Sequence, residues 1–84
     1  MNYDLAIMAL EGLTRAPLTV RVEGGEVVIE AQPASFKELA RLFLLLGGAS
    51  ATPQDAFELE PGSHVTRNSL RVKLKLASCP PTSS

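Results

Sequence analysis

The clearest pattern along the chain is an alternation of apolar and polar residues from Leu18 to Ala31, broken by Val28 at a polar position and interrupted by Gly24-Gly25. Leu18, Val20 and Val22 alternate with Thr19, Arg21 and Glu23; after the glycines, Val27, Ile29 and Ala31 alternate with Glu26, Val28 and Glu30. Successive side chains on a strand point to opposite faces, so each half reads as a strand with one apolar face. A two-residue Gly-Gly loop supplies the positive φ angles of a type I′ or II′ hairpin turn. That turn pairs Glu23 with Glu26, Val22 with Val27 and Val20 with Ile29, and all six inward positions are then apolar. A slip of one residue would put Arg21 inside, so the register is strongly specified.

Helical spacing flanks the hairpin on both sides. In residues 4–13, Leu5, Met8, Ala9, Gly12 and Leu13 fall on one face, with Asp4 as N-cap. Ile7 and Leu10 lie off that stripe. The segment is therefore apolar nearly all round, and a buried strand is the competing reading. Pro17 marks its boundary and Pro33 ends the second strand. Ser35 and Glu38 then have the spacing of a capping box, with Ser35 as N-cap. The helix they open runs to about Leu46, with Gly47 as its C′ residue. Phe36, Leu39, Ala40 and Phe43 form the expected core stripe, while Leu42, Leu44, Leu45 and Leu46 make the last turn apolar all round.

Residues 48–55 read as a polar loop. Ala56 to Glu60 is a short strand with Phe57 and Leu59 inward, and turns follow at Pro61–His64 and Arg67–Ser69. Leu70, Val72, Leu74 and Leu76 alternate with Arg71, Lys73 and Lys75, which makes a last strand. Residues 77–84 form a Pro/Ser-rich tail expected to be disordered. The order α-β-β-α-β-β over residues 1–76 implies a single α+β domain. The expected form is a two-layer sandwich: an antiparallel sheet of about four strands with two helices on one face.

Composition narrows the function classes. With 84 residues the core is thin, and association with a second chain is a natural source of stability. Eight Lys and Arg against nine Asp and Glu leave a net charge of −1, which disfavours nucleic acid as a partner. Residues 1–10 lack the basic n-region of a signal peptide. The longest apolar run, Leu42 to Leu46, is far short of the roughly 18–20 residues of a membrane span, so no membrane partner is expected. Cys79 is the only cysteine and forms no intrachain disulfide, which favours a reducing cytoplasm.

Candidate chemistry is sparse. The basic row Arg71, Lys73, Lys75 joins Arg21 on the outward strand faces, opposite Glu23, Glu26, Glu30, Glu58 and Glu60. That mosaic favours cross-strand ion pairs over a phosphate-binding stripe. His64 is the only histidine, and no His, Cys, Asp and Glu residues have metal-ligand spacing. Gly24-Gly25 is a turn, and Gly47-Gly48 follows a helix where a phosphate cradle precedes one. No catalytic residue, metal ligand or cofactor site emerges, and the chain reads as non-enzymatic. The surplus apolar residues Ile7, Leu10, Leu42 and Leu45, with His64 on the rim, mark an expected interaction surface for a protein partner or a second copy. The alternative is a small-ligand-binding or enzymatic domain with a pocket between helices and sheet.

From Leu18 onward the hairpin LTVRVEGGEVVIE, the helix SFKELARLFLLL, the stretch ELEPGSHV and the strand SLRVKLKL resemble a family of small bacterial proteins. That family is grouped with the immunity proteins of polymorphic toxin systems. The resemblance spans residues 18–76. It departs near His64, where Val65 or Thr66 stands at a position that often holds a second histidine or an aromatic. It implies a non-enzymatic protein that binds and neutralises a toxin.

Overall fold

A computed structural model describes residues 2–77. The elements follow the expected order: α1 (Tyr3–Arg15), β1 (Thr19–Glu23), β2 (Glu26–Glu30), α2 (Pro33–Leu46), β3 (Ala56–Leu59) and β4 (Val72–Lys75). The class is α+β. The strands form two antiparallel ladders, β1–β2 and β3–β4, rather than one four-stranded sheet. The break has a local cause. Between β3 and β4 the chain turns at Pro61–His64, where Gly62 has a φ of 86°, and again at Arg67–Ser69, so no regular strand spans the gap. This irregular segment still stitches the ladders together. Leu18 N–H donates to the His64 carbonyl, Thr66 N–H to the Leu18 carbonyl and Leu70 N–H to the Val20 carbonyl. All of these lie on the side of β1 away from β2.

The hairpin has the expected register, with Val22 opposite Val27 and Val20 opposite Ile29. Gly24 and Gly25 have φ of 55° and 82°, the two positive values of a type I′ turn. Residues 4–13 are helical, within a helix one residue longer at the start and two at the end. The cap is Asn2 rather than Asp4: its side chain accepts the Leu5 N–H at 3.2 Å. Asp4 instead lies in the first turn and Arg15 in the last, where each complements the helix dipole.

Both helices bury a different stripe from the one their spacing suggests. Helix α1 buries Ala6, Ala9 and Leu13, and leaves Leu5 and Met8 exposed. Helix α2 buries Ser35, Leu39, Leu42 and Leu46, and leaves Phe36, Ala40 and Phe43 exposed. Small residues explain the first choice. A Cβ on Gly12 would come within 2.7 Å of the Glu38 carboxylate, so the Glu38 side chain of α2 lies directly over α1 at this glycine. Ser35 explains the second. It forms no capping box; α2 begins at Pro33 with Gln32 as N-cap, which has no side-chain cap bond. The Ser35 hydroxyl turns inward instead and donates to the Ala16 carbonyl at 2.6 Å, closing the end of α1. Gly47 ends α2 in right-handed conformation, its N–H donating to the Phe43 carbonyl at 2.8 Å.

The core joins these elements through Leu13, Leu18, Val20, Leu42, Leu59 and Val65, with Phe57 beside them. Half-buried Val72, Leu74 and Leu76 pack against it, whereas Leu70, expected inward, is about half exposed. The thinnest dimension of the molecule is 19 Å, about one helix layer on one strand layer. No helix among the described residues is long and apolar enough to cross a membrane. The tail expected to be disordered, with Cys79, lies from residue 78 onward outside the described residues.

Candidate interaction surface

Strand alternation puts Val20, Val22, Val27 and Ile29 on one side of the hairpin, and Val20 sits in the core at 2% exposure. The other three continue that face past the edge of the core. Val22 is 58% exposed, Val27 67% and Ile29 41%. These side chains are on the core side of the sheet with nothing over them. Helix α2 contributes a second patch. At about 100° per residue, Glu38 and Leu45 lie on the flank facing α1, and Phe36, Ala40 and Phe43 lie on the opposite flank. Phe36 and Phe43 are both more than two-fifths exposed there.

The residues singled out from sequence do not gather into one surface. Leu42 is fully buried in the core, because α2 is rotated from the stripe expected of it; it can offer nothing to a partner. Leu10 and Leu45 are half-buried against the core, and Ile7 is exposed on α1. His64 lies in the 61–64 turn, where its Nδ1 accepts the Glu60 N–H at 3.2 Å. The alternation of the hairpin does not reveal this face, because it marks which side of a strand is apolar and not whether that side is covered. The available signal was length: a five-residue strand reaches about 17 Å, further than one helix width can cover.

The opposite face of the hairpin is polar and locally neutralised. Arg21 pairs with Glu23 and Glu30, which raises the guanidinium pKa and lowers that of Glu30. On the second ladder Arg71 reaches Glu58 at 3.6 Å and Glu60 at 3.9 Å, and Lys73 reaches Glu58 at 3.7 Å. Basic and acidic rows thus pair across strands, and four of the eight Lys and Arg face carboxylates in this way or, for Arg41, within α2 by Glu38 at 2.7 Å.

Two polar sites remain. Asp55, buried just before β3, accepts the Tyr3 hydroxyl at 2.7 Å and the Thr52 N–H at 2.8 Å. These bonds hold its carboxyl below the usual carboxylate range, the Tyr3 bond most strongly, and Asp55 in turn raises the Tyr3 pKa. Every bond there is internal, as in a tether between α1 and β3. A shallow groove of about 240 Å³ runs between α1 and α2, lined by Leu5, Arg41, Leu44 and Leu45. It is open to solvent and lies between the helices, not between helices and sheet. Among the described residues, no group of three or more His, Cys, Asp and Glu side chains converges as metal ligands would.

No protein-family model, curated protein or solved structure matches the chain.

Proposed function

We propose that this chain is a non-enzymatic protein-interaction module that docks through the uncovered apolar face of its first hairpin. The observation that carries this reading is the exposure of Val22, Val27 and Ile29 on the side of the sheet that faces the core. An apolar face of that kind gains free energy when a second protein covers it. Phe36 and Phe43 add aromatic surface, the residue type enriched at contact centres. The polar side of the same hairpin has its charges satisfied locally, so it offers little to a charged ligand. An immunity-like protein that neutralises a toxin by binding it is the biological form that the family resemblance implies.

The test is titration calorimetry of the chain against the purified products of adjacent coding sequences, toxin candidates first. Val22→Ser combined with Phe43→Ser serves as the comparison. Both positions are exposed, so the variant keeps its fold. Binding that weakens at least about tenfold in the variant, the effect of losing two buried apolar contacts, supports the reading. Binding that is unchanged in the variant overturns the assigned surface.

A further inference from the structure

The hairpin leaves one strand edge open, and its register identifies which backbone groups stand on it. Residues of β1 alternate between facing β2 and facing away. Leu18 and Val20 use their backbone groups on the away side: Val20 N–H donates to Ser69 Oγ at 2.9 Å, and its carbonyl accepts from Leu70 N–H. Val20–Ile29 and Val22–Val27 are therefore the non-hydrogen-bonded pairs of the ladder. It follows that Val27 and Ile29 turn their N–H and C=O groups outward from β2. Among the described residues, β1 is the only strand paired with β2, and neither Val27 nor Ile29 makes a backbone hydrogen bond along the outer edge.

We propose that this edge pairs with the same edge of a second copy, antiparallel and centred on Val28, to give a continuous sheet β1–β2–β2′–β1′. The inference rests on the reading of the hairpin as an interaction surface, and it adds a second copy at the edge of the sheet whose face takes the partner. Self-complementarity selects the second copy. Under a two-fold axis through Val28, Val27 pairs with Ile29 of the other copy and Ile29 with Val27. All four outward N–H groups and all four outward C=O groups are then satisfied at once. Moving the axis one pair toward the turn would bring Gly25, at positive φ, into the ladder. Moving it the other way would bring in Ala31, beyond the end of β2 and two residues before α2. The same pairing sets the exposed valines and isoleucines of the two copies side by side in one strip. Of the usual protections of an open edge, Glu26-Val27-Val28-Ile29-Glu30 has no proline, lysine or bulge, only its two glutamates.

Charge and area both limit the strength of the dimer. Glu26 would face Glu30 of the other copy twice, and only Glu30 has a counter-ion, Arg21. Edge pairing removes roughly 300–500 Å² per copy, the weak end of specific interfaces.

Sedimentation of the full chain from about 10 µM to 1 mM, with two variants, tests the proposal. Val27→Pro removes one outward N–H without touching a bond to β1, and Glu26→Lys replaces each like-charge contact with an opposite-charge one. The expected result is a concentration-dependent dimer, lost in Val27→Pro with an unchanged far-ultraviolet spectrum. In Glu26→Lys it tightens about three- to tenfold, and the gain disappears at high salt. A wild-type chain that stays monomeric throughout overturns the proposal, as does a dimer that survives Val27→Pro or weakens in Glu26→Lys. Should Val27→Pro unfold, Glu26→Lys decides alone. A monomer whose partner binding is still lost in the Val22→Ser, Phe43→Ser variant leaves the docking surface standing and removes only the second copy.

Discussion

The two ladders of this protein share one sequence pattern and differ in what covers them. In β3–β4 the inward residues Phe57 and Leu59 are buried, and Val72 and Leu74 are half-buried against the same core. In β1–β2 only Val20 reaches the core, and Val22, Val27 and Ile29 stand open. Alternation says which side of a strand is apolar; it does not say whether another layer lies over that side. The helices decide that: they meet where Glu38 lies over Gly12 and Ser35 reaches Ala16, and the core they share takes in one ladder more fully than the other.

The sharpest way to break this comparison is to truncate equivalent positions on the two ladders. Phe57→Ala empties a filled site and is expected to destabilise the chain by about 3–5 kcal/mol. Val27→Ala removes an exposed side chain and is expected to change stability by no more than about 0.5 kcal/mol in dilute protein. Urea unfolding at low micromolar concentration measures both. A loss of about 2 kcal/mol or more in Val27→Ala would mean that the hairpin face is covered after all.

A smaller effect separates the turns. Gly25 has a φ of 82°, so Gly25→Ala is expected to cost about 1–2 kcal/mol through left-handed strain alone, since nothing lies within 4 Å of the added Cβ. Gly47 has a φ of −81°, and Gly47→Ala is expected to stay within about 0.5 kcal/mol, its Cβ meeting the Phe43 carbonyl at 3.3 Å and the Leu44 carbonyl at 3.9 Å. Thermal melts of the two variants side by side give the difference. A neutral Gly25→Ala would argue against the type I′ turn.

What the sequence made legible follows from these same residues. The element order, the Gly24-Gly25 turn and the hairpin register were all readable, because each depends on neighbours in sequence and on a period of two. The buried stripes of the helices were not. Helix α1 is apolar nearly all round and α2 ends in Leu42–Leu46, so a period of 3.6 residues fits several faces equally well. The choice was made by tertiary contacts: Glu38 lying over Gly12, and Ser35 reaching Ala16 across 19 residues. The single four-stranded sheet failed at Pro61–Ser69, where turn residues were visible but their consequence for strand pairing was not. For the interaction surface, Leu42 was misplaced by the same rotation, and Val22, Val27 and Ile29 were assigned to a core too small to take them.

The last difference between the two halves is electrostatic. The charges of the hairpin, Arg21 with Glu23 and Glu30, are exposed and local, and such pairs contribute little. The bond from Tyr3 to Asp55 instead ties α1 to the start of β3, across 52 residues. Asp55 has a lowered pKa in the folded chain, so as pH falls the unfolded chain takes up its proton first, and stability is lost as pH drops through the folded value. Tyr3 has a raised pKa, so its contribution is complete below the ordinary tyrosine value and is lost as pH rises through the folded one. The stability gap between the wild type and Tyr3→Phe should therefore be a plateau at neutral pH that narrows toward both extremes. Urea unfolding at acid, neutral and alkaline pH measures it. Hydrogen exchange at neutral pH adds the location: Tyr3→Phe should loosen the amides of β3 and β4 and leave those of β1 and β2 as they were. A gap that is constant with pH, or loosening centred on the hairpin, would show that this bond does not anchor the covered half of the molecule.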